Sequence, residues 1–226
     1  RASGKAGELR EGSHFAPSNY YRLYLAELLP ESVDRLLYID SDTLVLGDVS
    51  PLAELDPGDF PLWAVRDHVG SFGSPQVGIA CPEDFGARAE DAYFNSGVLL
   101  FRLSAWRRER LGEKCRRLGR LHPELCLLAD QNLINVLLHG RIGELEAGWN
   151  YQLPIAEVRS GKLSGNRILP AVRARILHFT SSRKPWLVSF DLPLQKLYAD
   201  HVARTRWPMP ERSEEHTSEL QSRETI

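Results

Sequence analysis

Two aspartates one residue apart, Asp40 and Asp42, interrupt an apolar stretch that begins Leu36-Leu37-Tyr38-Ile39 and resumes Thr43-Leu44-Val45-Leu46. Short, bounded apolar runs read as buried strands, so both carboxylates sit where a strand surfaces at its carboxyl end. In open α/β sheets that edge is where ligands bind. Two adjacent anions are costly in a core, but they suit a hard divalent cation carrying phosphate oxygens. A polar turn between strands is the plainer reading of an isolated Asp-x-Asp. Four further segments look out of place for a pure core. Tyr93-Phe94-Asn95-Ser96-Gly97 sets a polar pair immediately before an apolar strand, and Asp130-Gln131-Asn132 opens an apolar helix, where a carboxylate can also serve as a cap. Trp149-Asn150-Tyr151 is an aromatic–polar cluster, and His178 ends a strand that leads on to Lys184-Pro185-Trp186.

The elements that must position these residues alternate. Tyr21, Tyr24, Leu25 and Leu28 recur at helical spacing, with Ser18 as N-cap and Pro30 as stop. Strands follow at 36–39 and 43–46, and Ser50-Pro51 reads as an N-cap with Pro at the first helical position. A strand at 60–65 gives way to a Gly- and Pro-containing loop over 67–88, then to a strand at 97–101. A helix from Ser104 buries Leu111, Cys115 and Leu118 and carries seven basic residues, among them Arg107, Arg116 and Arg120. That basic face is either solvated or a surface for an acidic acceptor or lipid headgroups. A helix over 130–139 is closed by Gly140, strands follow near 142–145 and 175–179, and a last helix covers 194–204. Strands alternating with helices predict an α/β fold with a mostly parallel central sheet. The 36–39 strand, apolar on both faces, should be central in it.

Composition bounds the function. A chain of 226 residues with 42% hydrophobic and 26% charged content is ordinary for a globular protein. A net charge of −2 gives no electrostatic case for nucleic acid, and no apolar run is long enough to span a bilayer. Three cysteines without C-x-x-C spacing read as reduced thiols of a cytoplasmic protein. Residues 212–226 resemble the translation of a sequencing adapter and are expected to be a non-native, disordered tail; the globular domain is assigned to 1–211.

Taken in order, Tyr20-Tyr21-Arg22-Leu23, Tyr-Ile-Asp-Ser-Asp, Phe-Asn-Ser-Gly-Val-Leu-Leu, Asp-Gln-Asn, Trp-Asn-Tyr-Gln and His-Phe-x5-Pro-Trp resemble glycosyltransferase family 8. These retaining enzymes include a bacterial lipopolysaccharide galactosyltransferase and glycogenin. The resemblance runs from about Phe15 to Trp186 and implies a Rossmann-like GT-A nucleotide-sugar transferase fold lacking its first strands. It implies Asp40, Asp42 and His178 as ligands of Mn²⁺, with Mg²⁺ as the alternative, Lys184 as a contact to the donor diphosphate and Arg22 as a contact to the donor. Asn95 and Asp130 would bond the donor sugar's hydroxyls, and Gln131 would lie beneath the anomeric carbon, making Asp130 and Gln131 the catalytic pair. The implied partners are a UDP-sugar and a carbohydrate or lipid-linked acceptor, in a bacterial cytoplasm or at the inner membrane face as a peripheral protein. The family often has a second acid after the Gln, where this chain has Asn132. Gln131, with a neutral amide oxygen, is a poor nucleophile, which favours same-face attack over a covalent intermediate. The other readings are a non-catalytic nucleotide-sugar-binding relative and a metal-dependent phosphohydrolase.

Overall fold

A computed structural model of the chain describes residues 17–56, 58–153, 174–180, 184–186 and 192–206. Among these, the strands in chain order are β1 (Arg35–Ile39), β2 (Thr43–Val45), β3 (Leu62–Ser71), β4 (Ala92–Arg102), β5 (Ile142–Glu144), β6 (Tyr151–Gln152) and β7 (Ile176–His178). The helices are α1 (Leu25–Leu28), α2 (Ser50–Glu54), α3 (Leu103–Glu109), α4 (Leu111–Leu121), α5 (Asp130–Leu137) and α6 (Leu192–Val202). The chain divides into two compact units, one of residues 1–39 and 49–147, the other of 40–48 and 148–226. The tail at 212–226 and the side chain of Ser18 lie outside the described residues.

The first unit is built on a sheet of order β1-β4-β3-β5. Its central strand is β4, almost wholly buried from Tyr93 to Phe101. That burial explains the unbroken apolar run Val98-Leu99-Leu100-Phe101: a strand flanked on both sides and covered on both faces has no polar face to show. The α/β architecture is as expected, but the strand directions differ. β4 runs antiparallel to both β1 and β3, while β3–β5 is parallel. The reason is the connection from β3 to β4, which is not a helical crossover but a loop returning the chain to the same edge. β1 is a second correction. Among the described strands it has one partner, β4, and all five of its residues are half-buried, so it is an edge of this sheet. Leu36 and Tyr38 on one face satisfy its demand for burial by packing on the main core.

Other departures share local causes. Pro17–Tyr24 is a 3₁₀ helix, whose three-residue turn brings Tyr20 and Leu23 to the core. Of the expected Tyr21, Tyr24, Leu25 and Leu28 stripe, Tyr24 is buried and Leu25 packs on the core, while Tyr21 is half-buried and Leu28, at the end of α1, is 57% exposed. The helix expected from Ser104 is two, broken at Arg110, which takes the left-handed conformation (φ 55°, ψ 41°). α4 then packs against the 3₁₀ segment so closely that Gly112 must lack a side chain: a Cβ there would overlap the carbonyl oxygen of Leu23. Two of the basic residues are structural. Arg107 donates to the carbonyls of Ala26 (3.0 Å), Pro30 (2.9 Å) and Val33 (2.9 Å), closing the end of α1, and Arg116 donates to Leu23 O (3.1 Å). Ser50 is the first residue of α2 rather than its cap, the cap position being Val49.

The second unit holds a three-stranded sheet of order β2-β7-β6. β7 is central, antiparallel to β2 and parallel to β6, with His178 opposite Thr43 on one side and Gln152 on the other. Leu153, Leu177, Phe179 and Leu194 form its core, with Leu44, Tyr151, Leu197 and Tyr198 packed around them.

Candidate metal centre and polar network

The acidic turn is held rigidly at the mouth of the β2–β7 ladder. The Thr43 hydroxyl donates to Asp40 O (2.8 Å), and the Phe179 amide donates to Asp42 O (3.0 Å). With the turn pinned from both strands, Asp40, Asp42 and His178 each offer one ligand atom, and these atoms all lie within 4.8 Å of one another. His178 Nε2 is 3.2 Å from Asp42 Oδ1 and 3.9 Å from Asp40 Oδ2. Lys184 Nζ is 2.6 Å from the other Asp42 oxygen and also donates to Phe179 O (2.5 Å). Burial alone would raise the Asp42 carboxyl, but hydrogen bonding and charge from His178 and Lys184 overcome it, holding the group well below the usual carboxylate range. Two carboxylates and one imidazole, converging on one point, form a donor set suited to a borderline divalent ion such as Mn²⁺. The opposite ring nitrogen, His178 Nδ1, lies 2.9 Å from Asn150 Oδ1.

The first unit gathers the other site residues around a buried carboxylate that the sequence reading missed. Asp67, 6% exposed, lies within β3, where the sequence suggested the start of a loop. Its Oδ2 accepts from Asn95 Nδ2 and Gln131 Nε2, both at 3.0 Å, and its Oδ1 accepts from Val69 N at 3.0 Å, with His68 Nδ1 also at 3.0 Å. Burial opposes ionisation of Asp67, but these donors outweigh it and lower its carboxyl below the ordinary value. A signal was present in the sequence: Arg66-Asp67-His68 continues the apolar run of β3 without a break, and a bulge between Ala64 and Arg66 turns the aspartate inward.

Gln131 is locked at both ends. Its Nε2 is on Asp67, while its Oε1 accepts from Ser96 N (2.9 Å), Asn95 Nδ2 (3.3 Å) and Ser96 Oγ (3.3 Å). Asn95 Oδ1 in turn accepts from Gly97 N (2.8 Å). Asp130, 2% exposed, does not stand alone: its Oδ2 is 2.9 Å from Nε of Arg22, itself 5% exposed and stacked 4.4 Å from the Tyr38 ring centre. Arg22 also donates to Ser96 O. The cap position of α5 is Ala129, and Asp130 stands in the first turn paired with Arg22 rather than as an isolated acid. The preceding residue, Ala129, carries φ 51°, a conformation that non-glycine residues rarely adopt, as α5 begins. Asn132 is fully buried and spent on the core, accepting from the Tyr93 hydroxyl and donating to Val77 O. Asn135, also missed, satisfies both backbone groups of Phe94 where the β3–β4 ladder is irregular.

The family model for glycosyl transferase family 8 matches residues 5–189. The chain belongs to glycosyl transferase family 8. Among its relatives, General stress protein A of Bacillus subtilis is 30% identical over 204 residues, 87% of this chain and 68% of that protein. The lipopolysaccharide 1,2-glucosyltransferase of Escherichia coli is 29% identical over 83% of this chain, which spans about half (54%) of its length. In fold, the chain resembles the galactosyltransferase LgtC, solved with donor and acceptor sugar analogues, at a TM-score of 0.70, with 23% identity over 92% of this chain and 74% of that one. The glycosyltransferase GlyE of Streptococcus pneumoniae superposes with a TM-score of 0.62 and 27% identity, over 83% of this chain and 43% of its own. Family 8 membership and the GT-A type fold thus rest on independent comparisons.

Proposed function

We propose that this protein is a divalent-metal-dependent retaining glycosyltransferase that moves a hexose from a UDP-sugar to the hydroxyl of a carbohydrate or lipid-linked acceptor. The observation that carries the reading is the convergence of Asp40, Asp42 and His178 beside Lys184 in a family 8 chain. Mn²⁺ held by these three side chains would supply Lewis-acid stabilisation of the departing diphosphate. Lys184 adds a preorganised positive charge on the same side chain cluster, where negative charge grows as the sugar–phosphate bond breaks. Asn95, Asp130 and Gln131 would orient the sugar, with Arg22 fixing the Asp130 carboxylate.

The hydrogen bonding of Gln131 favours same-face attack. Its amide oxygen already accepts from the backbone of Ser96 and its amide nitrogen is committed to Asp67, which leaves it a poor nucleophile. In that route the acceptor oxygen bonds to the anomeric carbon as the bond to the diphosphate breaks, and the acceptor's proton passes to the released phosphate oxygen. The immobile Gln131 presents a neutral dipole to the electron-poor sugar. Among the described residues no helix is long and apolar enough to cross a membrane.

Calorimetric titration with UDP tests the reading. UDP is expected to bind strongly only after Mn²⁺ is added, and Asp40→Asn or Asp42→Asn to abolish that dependence. UDP binding indifferent to Mn²⁺ in the wild type would overturn the metal assignment. Nuclear magnetic resonance of the product formed from a UDP-hexose and a disaccharide should show retained anomeric configuration; phosphate release from UDP without transfer would favour a phosphohydrolase.

A further inference from the structure

The imidazole of His178 faces two competing acceptors. On one side Nε2 looks at the Asp42 and Asp40 carboxylates, at 3.2 and 3.9 Å. On the other, Nδ1 lies 2.9 Å from the side-chain oxygen of Asn150. A charged acceptor attracts a ring proton more strongly than a neutral one. With the carboxylates alone, a neutral ring would place its single proton on Nε2, the nitrogen that the ion needs. Asn150 offers the counterweight: a carbonyl oxygen, 1% exposed, that can only accept.

We propose that Asn150 is a positioning residue for the metal centre, accepting the Nδ1–H of His178 so that Nε2 is the nitrogen turned to the ion. The inference rests on the metal reading above and adds a residue to it. The placement of Asn150 is built into the fold. It ends the 3₁₀ turn Ala147–Asn150, directly before β6, whose Tyr151 and Gln152 pair with Leu177 and His178. The turn is held from behind by the Arg175 guanidinium, 4.5 Å from the centre of the Trp149 ring, and by the Arg175 amide on Gly148 O (2.9 Å). Histidine ligands commonly donate their second N–H to such a partner, and removing it weakens metal binding by about 10–100-fold. The choice of an amide over a carboxylate keeps the set at two negative charges, so the ring is oriented without adding a third.

Three proteins test this: wild type, Asn150→Leu and Asn150→Asp. Mn²⁺ affinity, measured by electron paramagnetic resonance, should fall about 10–100-fold in Asn150→Leu and recover in Asn150→Asp, which restores an acceptor. Nitrogen-15 spectra of the proteins loaded with Zn²⁺, a diamagnetic stand-in for Mn²⁺, read the site directly. The His178 Nδ1–H should be visible and slow to exchange with solvent in wild type and Asn150→Asp, and exchange markedly faster in Asn150→Leu. A fast-exchanging Nδ1–H in wild type, or an Asn150→Leu protein that binds Mn²⁺ as tightly as wild type, would overturn the proposal. A wild type that binds neither ion overturns the metal reading and this proposal with it, whereas metal binding that Asn150→Leu leaves unchanged overturns this proposal alone.

Discussion

Replacing Gln131 by a glutamate probes the polar network most sharply, because the replaced nitrogen lies 3.0 Å from the ionised Asp67 carboxylate. Two ionised carboxylates at that distance repel by about 5 kcal/mol at an effective dielectric constant near 20. Keeping the introduced carboxyl protonated at pH 7, against an ordinary value near 4.3, costs about 3.7 kcal/mol. Protonation is the cheaper outcome, and the resulting O–H can donate to Asp67 as the amide does now. The folded-state value of the introduced group is thus raised above its unfolded value. Its penalty is absent well below about pH 4, grows by about 1.4 kcal/mol per pH unit as pH rises, and levels off above about pH 8. Asp67 keeps Asn95, Val69 and His68 as donors in both proteins, so to a first approximation its own contribution cancels in the difference. Urea unfolding of wild type and Gln131→Glu should therefore differ by about 0.5 kcal/mol at pH 4.5 and about 4 kcal/mol at pH 7.5. An equal difference at both pH values would mean that shape, not charge, sets the cost. No difference at pH 7.5 would mean that Gln131 and Asp67 are not partners.

Two further substitutions test backbone features of the first unit. Gly112→Ala gains about 1 kcal/mol of helix propensity but drives a methyl group into the Leu23 carbonyl, an overpacking cost of about 1–3 kcal/mol; thermal melting should show a net loss, and a raised melting temperature would refute the close approach. Arg110→Gly relieves a left-handed φ of 55° at the cost of a surface ion pair with Glu113. It should stabilise by about 0.5–1 kcal/mol, measured by the urea midpoint, and a lower midpoint would show that the arginine side chain holds the α3–α4 corner.

The gathering of Asp40, Asp42 and His178 was foreshadowed by the family resemblance, on carboxylates that interrupt an apolar run and a histidine that closes one. Centrality was assigned to the apolar 36–39 strand, whereas β4, with the longer apolar run 97–101, takes that place. What the sequence hid depended on partners remote along the chain. Asp67 was masked by the Gly- and Pro-containing loop beyond it, although β3 runs on to Ser71. Asn132 stood only as the residue where the family often has a second acid, and Asn135 was not singled out, yet the first is buried against Tyr93 and the second is clipped to Phe94. Asn150 was visible as part of an aromatic–polar cluster, but its role depends on β6 lying beside β7. The break at Arg110 carried no glycine to announce it, and strand direction depended on a return loop whose length resembles a crossover.

The β2-β7-β6 ladder also fixes where the gene can change length. His178 faces the acidic turn because it pairs with Thr43 on one side and Gln152 on the other. A slip of one residue in β7 would carry the imidazole to the opposite face of the sheet, and with it away from both carboxylates and from Asn150. Insertions or deletions inside either pairing should therefore break up the Asp40, Asp42 and His178 cluster even when all three residues survive. Descendants of this chain can lengthen or shorten between its strands, but only by changes that leave those two pairings in step.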